Sequence, residues 1–208
     1  MNKSNLNKHF ILGSGSSRRI DLLHQIGVYP DLILKPNINE VNQKNELPLN
    51  YVKRIAVEKN KIFQDKYPSS IILTADTVVS VGRRILHKVT DAKQAEEYLK
   101  LISGRRHKVL TAFCLFSPDN QLKIKTVQSV VKFKRLNSKE IFYYIQSNEW
   151  QGKAGAYGIQ GIAASFINFL SGSYSNVVGL PLAELYRMLL SIGSVSYTHL
   201  TLPTMFEV

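Results

Sequence analysis

The 208-residue chain has one cysteine, Cys114, so no disulfide can form within it, and a lone thiol inside an apolar run fits a reducing compartment. Apolar residues nowhere continue for the roughly 18 positions that a bilayer crossing needs. The first ten residues, with Lys3, Lys8 and several asparagines, lack the apolar centre of a secretory signal. A cytoplasmic protein with no membrane role is expected. Acidic residues are scarce, 15 against 27 lysines and arginines, and the net charge of +12 raises a polyanion as partner. Yet no run of five basic residues occurs. The densest spots are the pairs Arg18-Arg19, Arg83-Arg84 and Arg105-Arg106, and aromatic residues do not interleave with them. This scatter suits small anions and argues against a nucleic-acid track. The histidines, 9, 24, 87, 107 and 199, show no paired metal-ligand spacing, so a structural zinc site is not expected.

What is present is enough apolar material, 44% of the chain, for a full core. His9-Phe10-Ile11-Leu12 reads as a strand, Gly13 to Ser17 as a small-residue loop, and Ile20, Leu23 and Ile26 as one face of a helix closed by Gly27. A strand follows at Asp31 to Leu34, then a polar stretch, then a helix with Leu49, Val52, Ile55, Ala56, Ile62 and Phe63 at helical spacing. Ile71 to Leu73 and Val78-Val79 are buried strand segments interrupted by Asp76. Asp91 and Gln94 read as a capping box for a helix ended by Gly104. Val109 to Phe116 suits a central strand, and Ser117 to Asn120 turns it into a hairpin partner ending near Phe133. Ser138 caps a helix through Gln146, and Pro181 starts a last helix. Alternating strands and helices with one hairpin predict an α/β domain: a mixed central sheet, flanking helices and a substrate cleft. One domain is expected over 1–193, with 194–208 an appendage not native to it, because that segment shows neither helical spacing nor a strand partner.

Several residues sit where their type needs a reason. The loop Gly13 to Ser17 offers backbone N–H groups and hydroxyls at a helix start followed by Arg18 and Arg19, which suits phosphate or, equally, a serine-capped helix with solvated arginines. It is neither a Walker loop nor a dinucleotide fingerprint, because both lack a match at Arg18 and beyond. Lys59 falls on an apolar stripe, either snorkelling or lining a cleft. Asp76 interrupts a buried strand and must be paired, metal-bound or catalytic to offset its desolvation. Gly152 to Gly161 packs four glycines around Lys153, Tyr157 and Gln160, which suggests backbone against a ligand or a tight turn. Glu40 and Lys88 gain weight only as members of the set.

Taken in order, these blocks resemble the Maf family of nucleoside triphosphate pyrophosphatases over about residues 9–192. The matching residues are Ser14 to Arg19 with Leu22-Leu23, the Ala56 and Lys59 helix, Ala75-Asp76-Thr77 with Leu86 to Lys88, and Lys153 to Gly161 with Gly172 to Tyr174 and Val178 to Pro181. Within the family, Ala-Asp-Thr together with the Lys-Ala-Gly-Ala-Tyr-Gly-Ile-Gln-Gly stretch is similar to the branch that hydrolyses dTTP and UTP. The resemblance implies a Maf/ITPase-like fold, a divalent metal cofactor (Mg²⁺ or Mn²⁺) and a homodimer. It implies Asp76 as proton acceptor and Arg18, Thr77 and Gln160 as positions setting base preference. Ser14, Arg19, Lys59, Lys88 and Lys153 match its phosphate neighbourhood, and Glu40 with Asp76 its metal neighbourhood.

The chain departs from the family pattern at Ser17 (usually Pro), Asn37 and Asn39 (usually acidic), His87 and Val89 (usually Gly and Pro), and Trp150-Gln151-Gly152. Two rival readings remain: a pyrophosphatase for other non-standard nucleotides, and a non-catalytic nucleic-acid-binding protein motivated by the charge.

Overall fold

The structure, a computed structural model, describes residues 9–119 and 121–193; the expected appendage 194–208 lies outside the described residues. Seven strands form one mixed sheet, built around β3 (Ile71–Val81). On one edge of β3 runs β1 (Phe10–Gly13), parallel to it and to the two-residue β2 (Leu32–Ile33). On the other edge β5 (Arg106–Ser117), β6 (Gln121–Phe133) and β7 (Ile167–Ser171) follow in antiparallel order. The short β4 (Arg84–Leu86) folds back on the far end of β3, beside Val79–Val81. β1 covers this same edge only up to Thr74, so the two strands leave Ala75 to Val78 open between them.

The two expected strand segments around Asp76 are thus one strand, because β5 pairs continuously from Ile72 to Ser80 and carries the backbone through the carboxylate. Its period-2 alternation sends Thr74, Asp76 and Val78 to one face and Ala75, Thr77 and Val79 to the other. Helix α2 (Pro48–Lys66) packs on the first face through Val52, Ile55 and Ala56 against Val78, Leu110, Ala112 and Cys114. Lys59 faces inward on the apolar stripe as expected, but the stripe differs at its other positions: Leu49 and Ile62 are 49% and 39% exposed, while Asn60 is buried. Asn60 holds that seat by donating to the carbonyls of Ile72 and Cys114 and to the Thr74 hydroxyl, so a polar side chain replaces an apolar one without loss of satisfaction.

The second face carries two apolar clusters. Helices α1 (Ser17–Gln25) and α6 (Leu182–Ser191) cover β1 and the near half of β3 through Leu22, Leu23, Leu185 and Leu189. Helices α3 (Ala92–Ile102) and α4 (Ser138–Gln146) cover the far half with Leu99, Ile102 and Tyr144, in one cluster with Phe133 of β6 and Trp150. Asp91 accepts from the Gln94 N–H at 2.9 Å, the N-cap half of the expected capping box. At α4 the cap is Asn137 rather than Ser138: its side chain accepts from the Glu140 N–H, and the Glu140 carboxylate accepts from the Asn137 N–H, both at 2.9 Å. A 3₁₀ turn (Ile162–Phe166), β7 and the short helix α5 (Tyr174–Val178) were not expected from the sequence. Their residues are too few and too mixed in polarity to show a period. Cys114 is buried in β5 and its thiol is pushed up to about 12 by desolvation, an inert core residue as expected.

Candidate active site

The open stretch of β3 is the floor of a cleft of about 300 Å³. Its walls are the Gly13 to Arg19 loop with the start of α1, the segment from Lys35 to Glu40, Lys59, Lys88, the Gly152 to Gln160 segment and Val177 to Gly179. Every phosphate-neighbourhood residue named from sequence, and also Glu40, Arg18, Thr77 and Gln160, lines it; Asp76 lies just behind the wall, 2% exposed.

Strand β1 ends at Gly13, where a Cβ would sit 2.6 Å from Phe63 and Thr74, so only glycine lets the chain turn there into α1. Ser16 is the N-cap of α1 but its side chain makes no capping bond, so the serine-capped reading of the loop does not hold. Ser14 is instead tied to Arg19, whose guanidinium donates to Ser14 Oγ at 2.9 Å, the Gly179 carbonyl at 2.9 Å and Thr77 Oγ1 at 3.2 Å. These partners are all neutral. Burial lowers the Arg19 pKa, with the charges of Asp76 and Glu40 opposing that effect. The cation is therefore held in place by dipoles, with its charge available to a ligand anion. Thr77 also pairs with the Thr111 hydroxyl at 2.9 Å, and Thr111 donates to the carbonyl of buried Asn176 at 3.1 Å. This anchors α5 and Gly179 to the strands.

Below the cleft, Lys59 Nζ lies 2.7 Å from both Asp76 Oδ1 and Glu40 Oε1. The stripe position is thus explained: Lys59 is 4% exposed and paired on both sides, not snorkelling to water. Lys88 stands 3.7 Å from the second Glu40 oxygen. Partial burial would raise the Glu40 carboxyl, but Lys59 and Lys88 outweigh it and hold the pKa below the usual range. Lys88 itself is lowered by burial. Lys153, which also lines the cleft, is lowered by burial and by the charge of Arg18.

The glycines of the wall around Lys153 have a reason that differs from ligand contact alone. A Cβ at Gly155 would sit 2.8 Å from Val79, at Gly158 2.8 Å from Lys153, and at Gly161 2.0 Å from the Glu149 carboxylate. The protein's own side chains fill that space. Glu149 accepts from the Ile162 N–H at 2.8 Å, and Lys153 donates to the Glu149 carbonyl. The altered residues at 87 and 89 are compatible with this wall: Gly152 and Gly155 donate to the carbonyls of Val89 and Leu86, and Lys88 bridges to Ala154.

Sequence reasoning missed three contributors. Lys35 lines the cleft, its stem lying over Gly15, but a lone lysine after a two-residue strand carries no signal. Asn176 carried no signal, and Gly179 stood only inside the matched block Val178 to Pro181 without a role, because both act by holding Thr111, Thr77 and Arg19 from a distant part of the chain.

Six cationic side chains, Arg18, Arg19, Lys35, Lys59, Lys88 and Lys153, meet two carboxylates, Glu40 and Asp76, a surplus of four positive charges. Among the described residues no cluster of three or more His, Cys, Asp or Glu could hold a metal alone, and no helix is long and apolar enough to cross a membrane. The fold and cleft define a binder of a compact polyanion at the open edge of a mixed sheet. The model of the Maf-like protein family matches residues 9–192, and the chain belongs to that family. It is 51% identical over 183 residues to the dTTP/UTP pyrophosphatase of Zymomonas mobilis subsp. mobilis, covering 88% of this chain and 91% of that protein. It is 52% identical over 184 residues to the dTTP/UTP pyrophosphatase of Roseobacter denitrificans, covering 88% and 97%. A nucleoside triphosphate pyrophosphatase of Ehrlichia chaffeensis is 48% identical over 187 residues, covering 90% and 97%.

Proposed function

We propose that the protein hydrolyses dTTP and UTP to the nucleoside monophosphate and pyrophosphate. The observation that carries the reaction type is the surplus of four positive charges around a cleft that abuts a buried, lysine-held carboxylate. A nucleoside triphosphate brings about four negative charges, and preorganised cations in a partly desolvated cleft bind these far more strongly than water would. The substrate class follows the names of the relatives at about half identity across most of the chain.

In this reading Arg19, Lys35, Lys88, Lys153 and the Ser14 loop hold the phosphates. Lys59 fixes the Asp76 carboxylate, which orients a water towards the α-phosphorus and accepts its proton as the new P–O bond forms. The bond from that phosphorus to the bridging oxygen breaks, and pyrophosphate leaves with the electron pair. Glu40 and Asp76 are hard oxygen donors that converge on one cation already, the Lys59 ammonium, so they suit Mg²⁺ or Mn²⁺ shared with substrate phosphates rather than caged by protein. Bound there, the metal supplies further neutralisation of phosphate charge and a more acidic water.

Arg18, Thr77 and Gln160 set base preference. Gln160 is exposed on the cleft wall with a donor and an acceptor for a pyrimidine's imide edge. Thr77 acts through position, because its hydroxyl is already committed to Arg19, Thr111 and the Gly179 carbonyl. The protein is read as a cytoplasmic homodimer.

The test is pyrophosphate release from dTTP, UTP, CTP, GTP, ATP and modified nucleotides with Mg²⁺ or Mn²⁺, beside Asp76→Asn. Release from dTTP and UTP, abolished in Asp76→Asn with nucleotide binding retained, is the expected result. Normal turnover in that variant removes Asp76 from its role, and activity on purines alone overturns the substrate assignment.

A further inference from the structure

Away from the cleft, strands β5, β6 and β7 carry Arg106, Lys108, Lys123, Lys125 and Lys132 without one aspartate or glutamate. The sheet register gathers part of this charge on one surface. Arg106 is directly opposite Lys132, and Lys132 is directly opposite Phe169; Lys108 is opposite Val130, and Val130 opposite Ser171. Directly opposed residues share a face, here the face on which α2 packs over Leu110, Ala112 and Cys114 of β5 and reaches Leu122 and Ile124 at the other end of β6. Beyond α2, among the described residues, Arg106, Lys108 and Ser171 are exposed, Phe169 is 42% exposed and Lys132 is half-buried.

Two features make this surface more than a solvated rim. Like charges directly opposite across a strand pair are destabilising, yet among the described residues no ion pair relieves Arg106, Lys108 or Lys132. An exposed aromatic ring also lies in the middle of the charges, with the Arg106 guanidinium carbon 5.1 Å from the Phe169 ring centroid. A ring and a planar guanidinium together stack on a flat π-surface, and the lysines around them match a chain carrying regularly spaced negative charge.

We propose that this open face of β5, β6 and β7 docks single-stranded nucleic acid, a second binding function separate from the nucleotide cleft. An unpaired base stacks on Phe169 beside Arg106, while Lys108 and Lys132 meet the flanking phosphates. The single strand is favoured over a duplex because bases paired and stacked inside a helix have no free face to offer an aromatic side chain.

The experiment is a fluorescence-anisotropy titration of labelled oligothymidylate, about 20 nucleotides long, with the full chain at rising salt. About two phosphate contacts predict a slope of log affinity against log salt of about −1.4. Phe169→Ala, and separately Arg106→Gln with Lys132→Gln, are expected to weaken binding about tenfold. Neither should change kcat/KM for dTTP, because none of these residues lines the cleft. No binding at about 50 mM salt, or affinity unmoved by both variants, overturns the proposal. So does displacement of the oligonucleotide by a non-hydrolysable dTTP analogue, which would place it in the cleft. Heparin binding as tight as the oligonucleotide's, with Phe169→Ala without effect, marks a mere polyanion surface and overturns it as well.

Discussion

Acidification is expected to weaken the fold through one side chain, His107. It sits on β5, 2% exposed, edge-on to the rings of Phe133 and Tyr157, with Nε2 2.8 Å from the Tyr157 hydroxyl. Burial pushes its pKa from 6.5 down to about 4, against a smaller opposing contribution from the Arg105 backbone. The unfolded chain therefore takes up a proton near pH 6.5 and the native protein only near pH 4. Between those values the unfolded state binds more protons, so the neutral imidazole's contribution is intact above pH 6.5, declines as pH falls through the window and is gone below about 4. The fall from 6.5 to about 4, at about 1.4 kcal/mol per pH unit, amounts to about 3.5 kcal/mol. Urea unfolding at several pH values between 7.5 and 4.5 measures it, followed through the chain's single tryptophan, Trp150, which is buried in the same apolar cluster. His107→Gln keeps a polar partner for Tyr157 and cannot titrate, so its stability should fall less steeply, by up to about 1.4 kcal/mol per pH unit near pH 5.5. Parallel pH profiles for the two proteins would refute the reasoning.

Lys59→Met should lower stability by about 3–5 kcal/mol, because it leaves Asp76 and Glu40 without their shared cation. In the double variant with Asp76→Asn part of that loss should return, measurable as a coupling in denaturant melts. Gln160→Ala should reduce the ratio of dTTP to GTP turnover more than it reduces dTTP turnover, and an unchanged ratio counts against a base-reading role. Gly155→Ala forces a side chain onto a backbone at φ 68° and 2.8 Å from Val79, so thermal melting should show a loss of about 1–3 kcal/mol.

The site was legible where chemistry is written into single positions. A carboxylate inside a buried strand and a lysine on an apolar helix stripe each violate the local pattern, and the two prove to be partners 2.7 Å apart. Asn137 was not legible as a cap because Ser138, beside it, is an equally good cap by type; only the reciprocal bonds with Glu140 decide. Lys35 and Gly179 carry no local anomaly at all. Their roles exist only because the chain brings Gly15, Arg19 and Thr77 beside them.

Sequence by itself determined the α/β alternation, the glycine turn from β1 into α1, and the residue types that crowd around a polyphosphate, because each rests on periodicity or desolvation within a few residues. Tertiary structure decided what those residues do to one another. The gap between β1 and β4 opens the cleft on β3, and the β5–β6–β7 register brings Arg106, Lys108 and Lys132 onto one charged face. Strand pairing joins residues tens of positions apart, and no local period records which of them will stand opposite.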